Sequence, residues 1–286
     1  MLRRHYGNTG IELSVVGFGG IICRDEEPEK AAEIVTSAVD KGINYFDVAP
    51  GYGTAQEILG PALEPHRDSV FLACKTTKRT AAEAQEELEE SLRLLRTDHF
   101  DLYQFHAVSK MEDVETILAP GGAMETFEQA RKDGIIKHIG FSAHSEEAAL
   151  ALMDRYDFDS ILFPINWVVW NTGHFGPRVV EAAHEKGVAI LALKALAKRR
   201  WQEGEREGRE DFKKVWYHPV ESYEEAQLAL RFTLSRPVTA AVSPGIVDYL
   251  WWAIAAADNF SPLSAEEEEL VAQRAGDLEA IFEAAA

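Results

Sequence analysis

Short apolar runs alternate with longer amphipathic stretches along almost the whole chain, and this alternation restricts the possible folds more than any other feature. The runs Val15–Gly19, Ile43–Asp47, Val70–Lys75, Leu102–His106, His138–Phe141, Ser160–Phe163, Ala189–Leu193 and Ala240–Val242 have the length and composition of buried strands. Between and after them, helical periodicity covers Pro28–Lys41, Ala55–Leu63, Ala81–Leu95, Glu125–Asp133, Ser145–Arg155, Gly176–Lys186, Tyr223–Ser235 and Val247–Ala257. Pro28 suits a first helical turn, Ser145 is placed to cap the helix after it, and Gly42, Gly134 and Gly187 sit where helices should stop. Strand–helix alternation predicts a parallel sheet, and eight units predict closure into an α/β (β/α)8 TIM barrel, with a doubly wound sheet as the alternative.

Two segments fall outside the repeat, and a third extends it. Gly7-Asn8-Thr9-Gly10 is a hairpin-turn signal, so residues 1–14 are expected to form an N-terminal β-hairpin across the barrel floor. Residues 197–222 read as a long charged loop insertion containing Trp201, Trp216 and Tyr217. Residues 265–285 read as an acidic C-terminal helix. The expectation is one domain over residues 1–286.

Three of the apolar runs carry an ionisable residue at the end. Ile43–Val48 contains Asp47 with Tyr52 just beyond, Val70–Lys75 ends on Lys75, and Leu102–His106 ends on His106. In a barrel, strand C-termini converge on one face, where active sites sit. A tyrosine is a weak acid at neutral pH, and a nearby ammonium favours its phenolate. A carboxylate keeps that ammonium in place and charged, and a histidine can orient a carbonyl oxygen. Asp47, Tyr52, Lys75 and His106 together suit proton donation to a carbonyl. No side chain supplies a hydride, so the set calls for a nicotinamide cofactor. Taken singly, His106 reads as a packed histidine, Lys75 as a snorkelling lysine and Asp47 as a loop cap. All four at strand ends reverse that reading.

The net charge of −19 and a pI near 4.9 argue against a nucleic-acid partner. The Glu-rich stretches Glu83–Glu90 and Glu266–Glu269 read as solvated helix faces. Cys23 and Cys74 lack metal-ligand spacing, and no metal is assigned. Cys74 reads as packed and Cys23 as facing the pocket. No apolar run is long enough to span a membrane, and no apolar stretch follows the basic Met1–Tyr6. A cytoplasmic protein is expected.

Asp47-Val-Ala-Pro-Gly-Tyr52-Gly53 followed by Glu57-Ile-Leu-Gly60 resembles the signature of the aldo-keto reductase family. The opening Gly7-Asn-Thr-Gly10 and Ser14-Val-Val-Gly17-Phe-Gly19 is similar to that family's N-terminus, and Lys75 and His106 stand where its other tetrad members belong. The resemblance runs from about Gly7 to Ala257. It implies hydride transfer between NADP(H) or NAD(H) and a small-molecule carbonyl or alcohol, with Tyr52 as general acid/base, Lys75 and Asp47 tuning it, and His106 positioning the carbonyl. It also implies cofactor contacts from Gly20 and Ile21 after the first strand, from Ser142 on the carboxamide, and from Pro244 and Gly245 near the adenosine phosphate. The chain departs from the family at three places. Ala143 and His144 stand where the family commonly has asparagine. Leu193-Lys194-Ala195 replaces the expected aromatic residue, with Lys194 resembling a phosphate-contacting lysine of a divergent branch. Asp248 lies where NADPH-preferring members carry a base. The iron–sulfur module common in that branch is excluded by the cysteine count. Cys23, Trp167, Trp170, Trp201, Trp216 and Tyr217 are the substrate-wall candidates, weighed evenly against packing for the aromatic ones. The alternatives are a cofactor-binding redox sensor with slow turnover and a non-redox barrel isomerase or lyase.

Overall fold

The computed structural model describes residues 1–285. β1 (Arg3–His5) and β2 (Glu12–Ser14) form an antiparallel hairpin. The parallel strands are β3 (Val16–Gly19), β4 (Tyr45–Asp47), β5 (Phe71–Thr76), β6 (Phe100–Val108), β7 (Ile136–Ala143), β8 (Ser160–Pro164) and β9 (Ala189–Leu193). β10 (Ala197–Arg199) pairs antiparallel with β11 (His218–Pro219) inside the insertion, and β12 (Ala240–Val242) is the eighth parallel strand. The order β12-β3-β4-β5-β6-β7-β8-β9 closes as a barrel, as the eight-unit alternation predicts. By contact density the chain parts into two compact units, Phe18–Leu162 and Met1–Gly17 with the chain from Phe163 onward.

In Phe18–Leu162 every residue of β4 and β5 is buried, which is why both read as nearly continuous apolar runs. β6 and β7 extend further than their apolar cores suggest, because they pair from Phe100↔Ile136 to Val108↔Ala143 with a register shift between Phe105 and Val108. That bulge contains Ala107, whose φ of 55° is left-handed, and it re-aims the strand just beyond His106. The helix Met111–Leu118, between the expected strand Leu102–His106 and the expected helix Glu125–Asp133, opens with Glu112 and Asp113 and buries Val114 and Ile117. Ser145 caps the following helix, accepting from Ala148 N at 3.3 Å. Glu87 departs from a solvated face: its carboxylate accepts from Thr76 Oγ1 and Thr77 N at the end of β5.

In the other unit the hairpin turns through Gly7 and Gly10, both at positive φ, and Tyr6 is fully buried beneath it. Arg4 donates to the carbonyls of Leu234 and Val238, each at 2.7 Å, and Thr239 Oγ1 donates to His5 O. The hairpin is thus tied to the segment that enters β12, at that strand's N-terminal end. Gly187, left-handed with φ 71°, ends the helix Pro177–Lys186 and turns the chain into β9. A helix missed in the sequence, Trp167–Asn171, starts where the Asn166 side chain accepts from Val168 N and Val169 N. The C-terminal helix stops at Ala275 rather than running to residue 285. Beyond Gly276 the chain leaves helical geometry and buries Ala280 and Ile281, and Ala284 N donates to Gly173 O. Glu267 and Glu268 are likewise not merely solvated, since they pair with Arg231 and Arg236. No helix among the described residues is long and apolar enough to cross a membrane.

Candidate active site

Asp47, Tyr52, Lys75 and His106 all belong to the unit Phe18–Leu162. β4 ends on Asp47, and the short turn Pro50–Tyr52 follows it. Gly53, at φ 62°, turns the chain into the helix Ala55–Leu63, leaving Tyr52 half-buried. Lys75, one residue before the end of β5, is fully buried. Its ammonium makes a short hydrogen bond to Asp47 Oδ1, donates to Val48 O at 3.3 Å, and lies 5.2 Å from the centre of the Tyr52 ring. The His106 ring stands edge-on to Tyr52, with centres 5.9 Å apart. The four residues singled out in the sequence therefore form one chain of contacts.

Burial disfavours the charged amine of Lys75, but the Asp47 carboxylate, by its charge and its hydrogen bond, outweighs it and helps hold the ammonium above its ordinary range. For Tyr52 the balance differs from the sequence expectation. Burial raises the phenol, Lys75 pulls it down, and burial prevails. Two residues the sequence reading missed complete the carboxylate's shell. Tyr45 OH donates to Asp47 Oδ2 at 3.3 Å and Gln104 Nε2 donates to it at 3.1 Å. Each stands two residues before a tetrad member, Asp47 and His106, and so shares its strand face. A polar residue at that spacing in an apolar run was the available signal. Cys74 is packed as expected, its thiol pushed up to about 12 by burial.

Ser142 ends buried near the tip of β7, where its Oγ accepts from Ala107 N at 2.7 Å. That bond uses the hydroxyl oxygen as acceptor and leaves the hydroxyl with the capacity to donate. His144 is half-buried and its backbone N–H donates to Val108 O. Gly20 and Ile21 lie in the turn after β3. A Cβ on Gly20 would come 2.8 Å from Asp47 O and from Val48 Cβ, so close backbone approach already demands this glycine. Cys23 was expected to face the pocket, but it is completely enclosed by protein and reads as core.

The family model described as Aldo/keto reductase family matches residues 16–271. The chain belongs to the aldo/keto reductase family. It is 31% identical over 157 residues to the uncharacterized oxidoreductase YqkF of Bacillus subtilis, covering 50% of this chain and 49% of that protein. It is 33% identical over 159 residues to the aldo-keto reductase YhdN of the same organism, covering 49% and 46%. The chain thus spans about half the length of these curated relatives. The aldo-keto reductase AKR11C1 from Bacillus halodurans, in its holo form, superposes with a TM-score of 0.75 at 24% identity, covering 98% of this chain and 99% of that one, which shows the same fold.

In this aldo/keto reductase chain the remaining candidates lie in the second unit. Leu193 ends β9, and Lys194 follows with a left-handed φ of 65°. The Lys194 ammonium rests on two ring faces, Trp216 at 5.6 Å and Phe282 at 5.2 Å. Pro244 and Gly245 are buried ahead of the helix Val247–Asp258. Ile246 occupies its N-cap position without a side-chain hydrogen bond, so the first-turn N–H groups stay available to an anion. Asp248 stands exposed in that first turn and opposes one. The aromatic candidates separate clearly. Trp170 lies edge-on to Phe232 of the helix Tyr223–Leu234 with Arg236 over its face, and Trp167 is buried, so both read as packing. Trp201 packs within the insertion on His218 at 4.4 Å and Phe212 at 5.5 Å, and Tyr217 is buried. Trp216, 50% exposed, is the one that presents a broad face to solvent.

Proposed function

We propose that this chain is an NAD(P)H-dependent oxidoreductase acting between an aldehyde or ketone and the corresponding alcohol, with residues 1–286 as one functional domain and a cytoplasmic location. The observation that carries this reading is the fully buried Lys75 ammonium, paired with Asp47 and set against the Tyr52 ring beside His106. Bound nicotinamide would supply or accept the hydride. Tyr52 gives its phenolic proton to the carbonyl oxygen in reduction and takes it back in oxidation. Lys75 favours the phenolate that reduction leaves behind, opposing the effect of burial. His106 orients the carbonyl oxygen towards Tyr52. Gly20 and Ile21 would line the nicotinamide, Ser142 would donate to its carboxamide, and His144 would supplement Ser142 where the family commonly has asparagine.

In the second unit, Leu193, Lys194, Pro244 and Gly245 serve the cofactor's phosphate and adenosine parts, and Trp216 serves the substrate. Because Asp248 repels a 2′-phosphate, NADPH is not strongly preferred over NADH. Dissociation constants for the two reduced cofactors check this, and a preference for NADPH of about a hundredfold or more would overturn it. Single-turnover kinetics with both cofactors and a panel of aldehydes and ketones test the activity. Cofactor oxidation that requires a carbonyl and disappears in Tyr52→Phe is the expected result. Tight cofactor binding without oxidation would favour a sensor, and carbonyl conversion without cofactor oxidation would favour an isomerase or lyase.

A further inference from the structure

Gln104 is fully buried on β6, directly across from Lys75 in the strand register and two residues before His106. Its side-chain nitrogen donates to Asp47 Oδ2 at 3.1 Å. Among the described residues its side-chain oxygen has no hydrogen-bond partner. The orientation is fixed by chemistry, because an ionised carboxylate only accepts, so the amide nitrogen must face it. A buried amide with an orphan oxygen lowers stability relative to an apolar side chain of the same shape. Packing alone therefore does not account for glutamine at this position.

The two oxygens of Asp47 have different partners. Oδ1 takes Lys75, while Oδ2 takes Gln104 and, at a longer distance, Tyr45. Lys75 divides its protons between Asp47, Val48 O and the side facing Tyr52. A carboxylate freed at Oδ2 would turn to engage the ammonium with both oxygens and draw it from the phenol. We propose that Gln104 is a positioning residue: by holding Asp47 Oδ2 it fixes the carboxylate plane, so that Lys75 keeps its ammonium against Tyr52. The role in turnover rests on the oxidoreductase reading, but the geometric claim does not.

The charged and titratable groups facing Tyr52 are Lys75, Asp47, Cys74 and His106. Losing the Gln104 donor changes two of them in the same direction. Asp47 becomes less neutralised and Lys75 moves away, and each change raises the pH at which Tyr52 ionises. The test is a carbon NMR titration of the intact protein labelled at tyrosine Cζ, with the Tyr52 signal identified by its loss in Tyr52→Phe. In Gln104→Met the midpoint should rise by about half a unit or more. In Tyr45→Phe, which removes the longer bond, it should rise by less. The second variant keeps the test open should the first fail to fold. For alcohol oxidation, kcat should fall about tenfold with little change in KM, and its pH profile should move to higher pH by the same amount. A folded Gln104→Met or Tyr45→Phe with lowered melting temperature but an unmoved Tyr52 midpoint overturns the proposal. The NMR measurement needs no turnover. A shifted midpoint in a protein that leaves the cofactor unoxidised with every aldehyde and ketone of the panel would sustain the positioning role and sink the oxidoreductase reading. An unshifted midpoint in an active enzyme would do the reverse.

Discussion

Lys75 and Asp47 depend on each other more than either depends on the rest of the fold. Both are buried, and an ion pair in that setting is strongly destabilised when one partner is removed, because the other is left as an uncompensated charge. Lys75→Met should therefore lower the unfolding free energy by about 3–5 kcal/mol in urea titration. Asp47→Leu combined with Lys75→Met should recover much of that loss while remaining inactive. A double variant no more stable than the single would show that the cost lies in packing instead. At this scale the sequence was informative about the groups proposed to react, since Asp47, Tyr52, Lys75 and His106 carry side chains that are conspicuous at or just beyond strand ends. It was less informative about the groups that hold them. Tyr45 and Gln104 sit inside apolar runs; Tyr45 meets Asp47 from the same strand, while Gln104 gains its meaning only from the strands packed beside its own.

Two features belong to the scale of elements. Gly60, part of the family-like Glu57-Ile-Leu-Gly60 run, lies where a Cβ would come 2.3 Å from Leu94 O and 2.8 Å from Leu95 Cα. It lets the helix Ala55–Leu63 touch the end of Ala81–Leu94, so its role is helix approach and not cofactor contact. Gly60→Ala should cost about 1–3 kcal/mol, read from the urea midpoint, with Tyr52 chemistry retained in the protein that remains folded. The second feature is the chain after Gly276. Phe282 stacks on Phe175 at 5.5 Å, meets Trp216 edge-on at 5.8 Å, and covers Lys194. Phe282→Ala should reduce stability by about 1 kcal/mol and shift tryptophan emission to longer wavelength as Trp216 becomes more exposed. Unchanged emission would show that the tail does not shelter that ring. Helical periodicity predicted a continuous helix here, but burial of Ala280 and Ile281 overrides propensity beyond Gly276.

Acid sensitivity is a property of the whole molecule, because carboxylates held below their ordinary range must be protonated before the fold yields. Glu267 is an identifiable contributor. Its hydrogen bonds to Arg231 and to Ser264 N lower its pKa from 4.5 to about 2. A depressed carboxylate contributes stability that is complete above its unfolded value and lost as pH falls towards the folded one. The contribution should therefore fade from about pH 4.5 down to about 2. Melting temperature against pH, compared between wild type and Glu267→Gln, checks this. The two curves should differ at neutral pH and converge through that window, and parallel curves would count against it.

The sequence alone pointed to the architecture and singled out the four side chains that the proposed reaction uses. Eight strand–helix units require a parallel sheet with both faces covered, and closure leaves that sheet without an edge. Ionisable residues at strand ends are costly to bury, so their presence there marks chemistry before any coordinates exist. What the tertiary structure decided was which polar and aromatic side chains meet. Trp170 proved to pack against a helix, Trp201 within its own insertion, and Cys23 in the core, because the direction of a side chain depends on the elements packed around it. Gln104 reached Asp47 only through the register of neighbouring strands, a long-range relation that local periodicity does not encode.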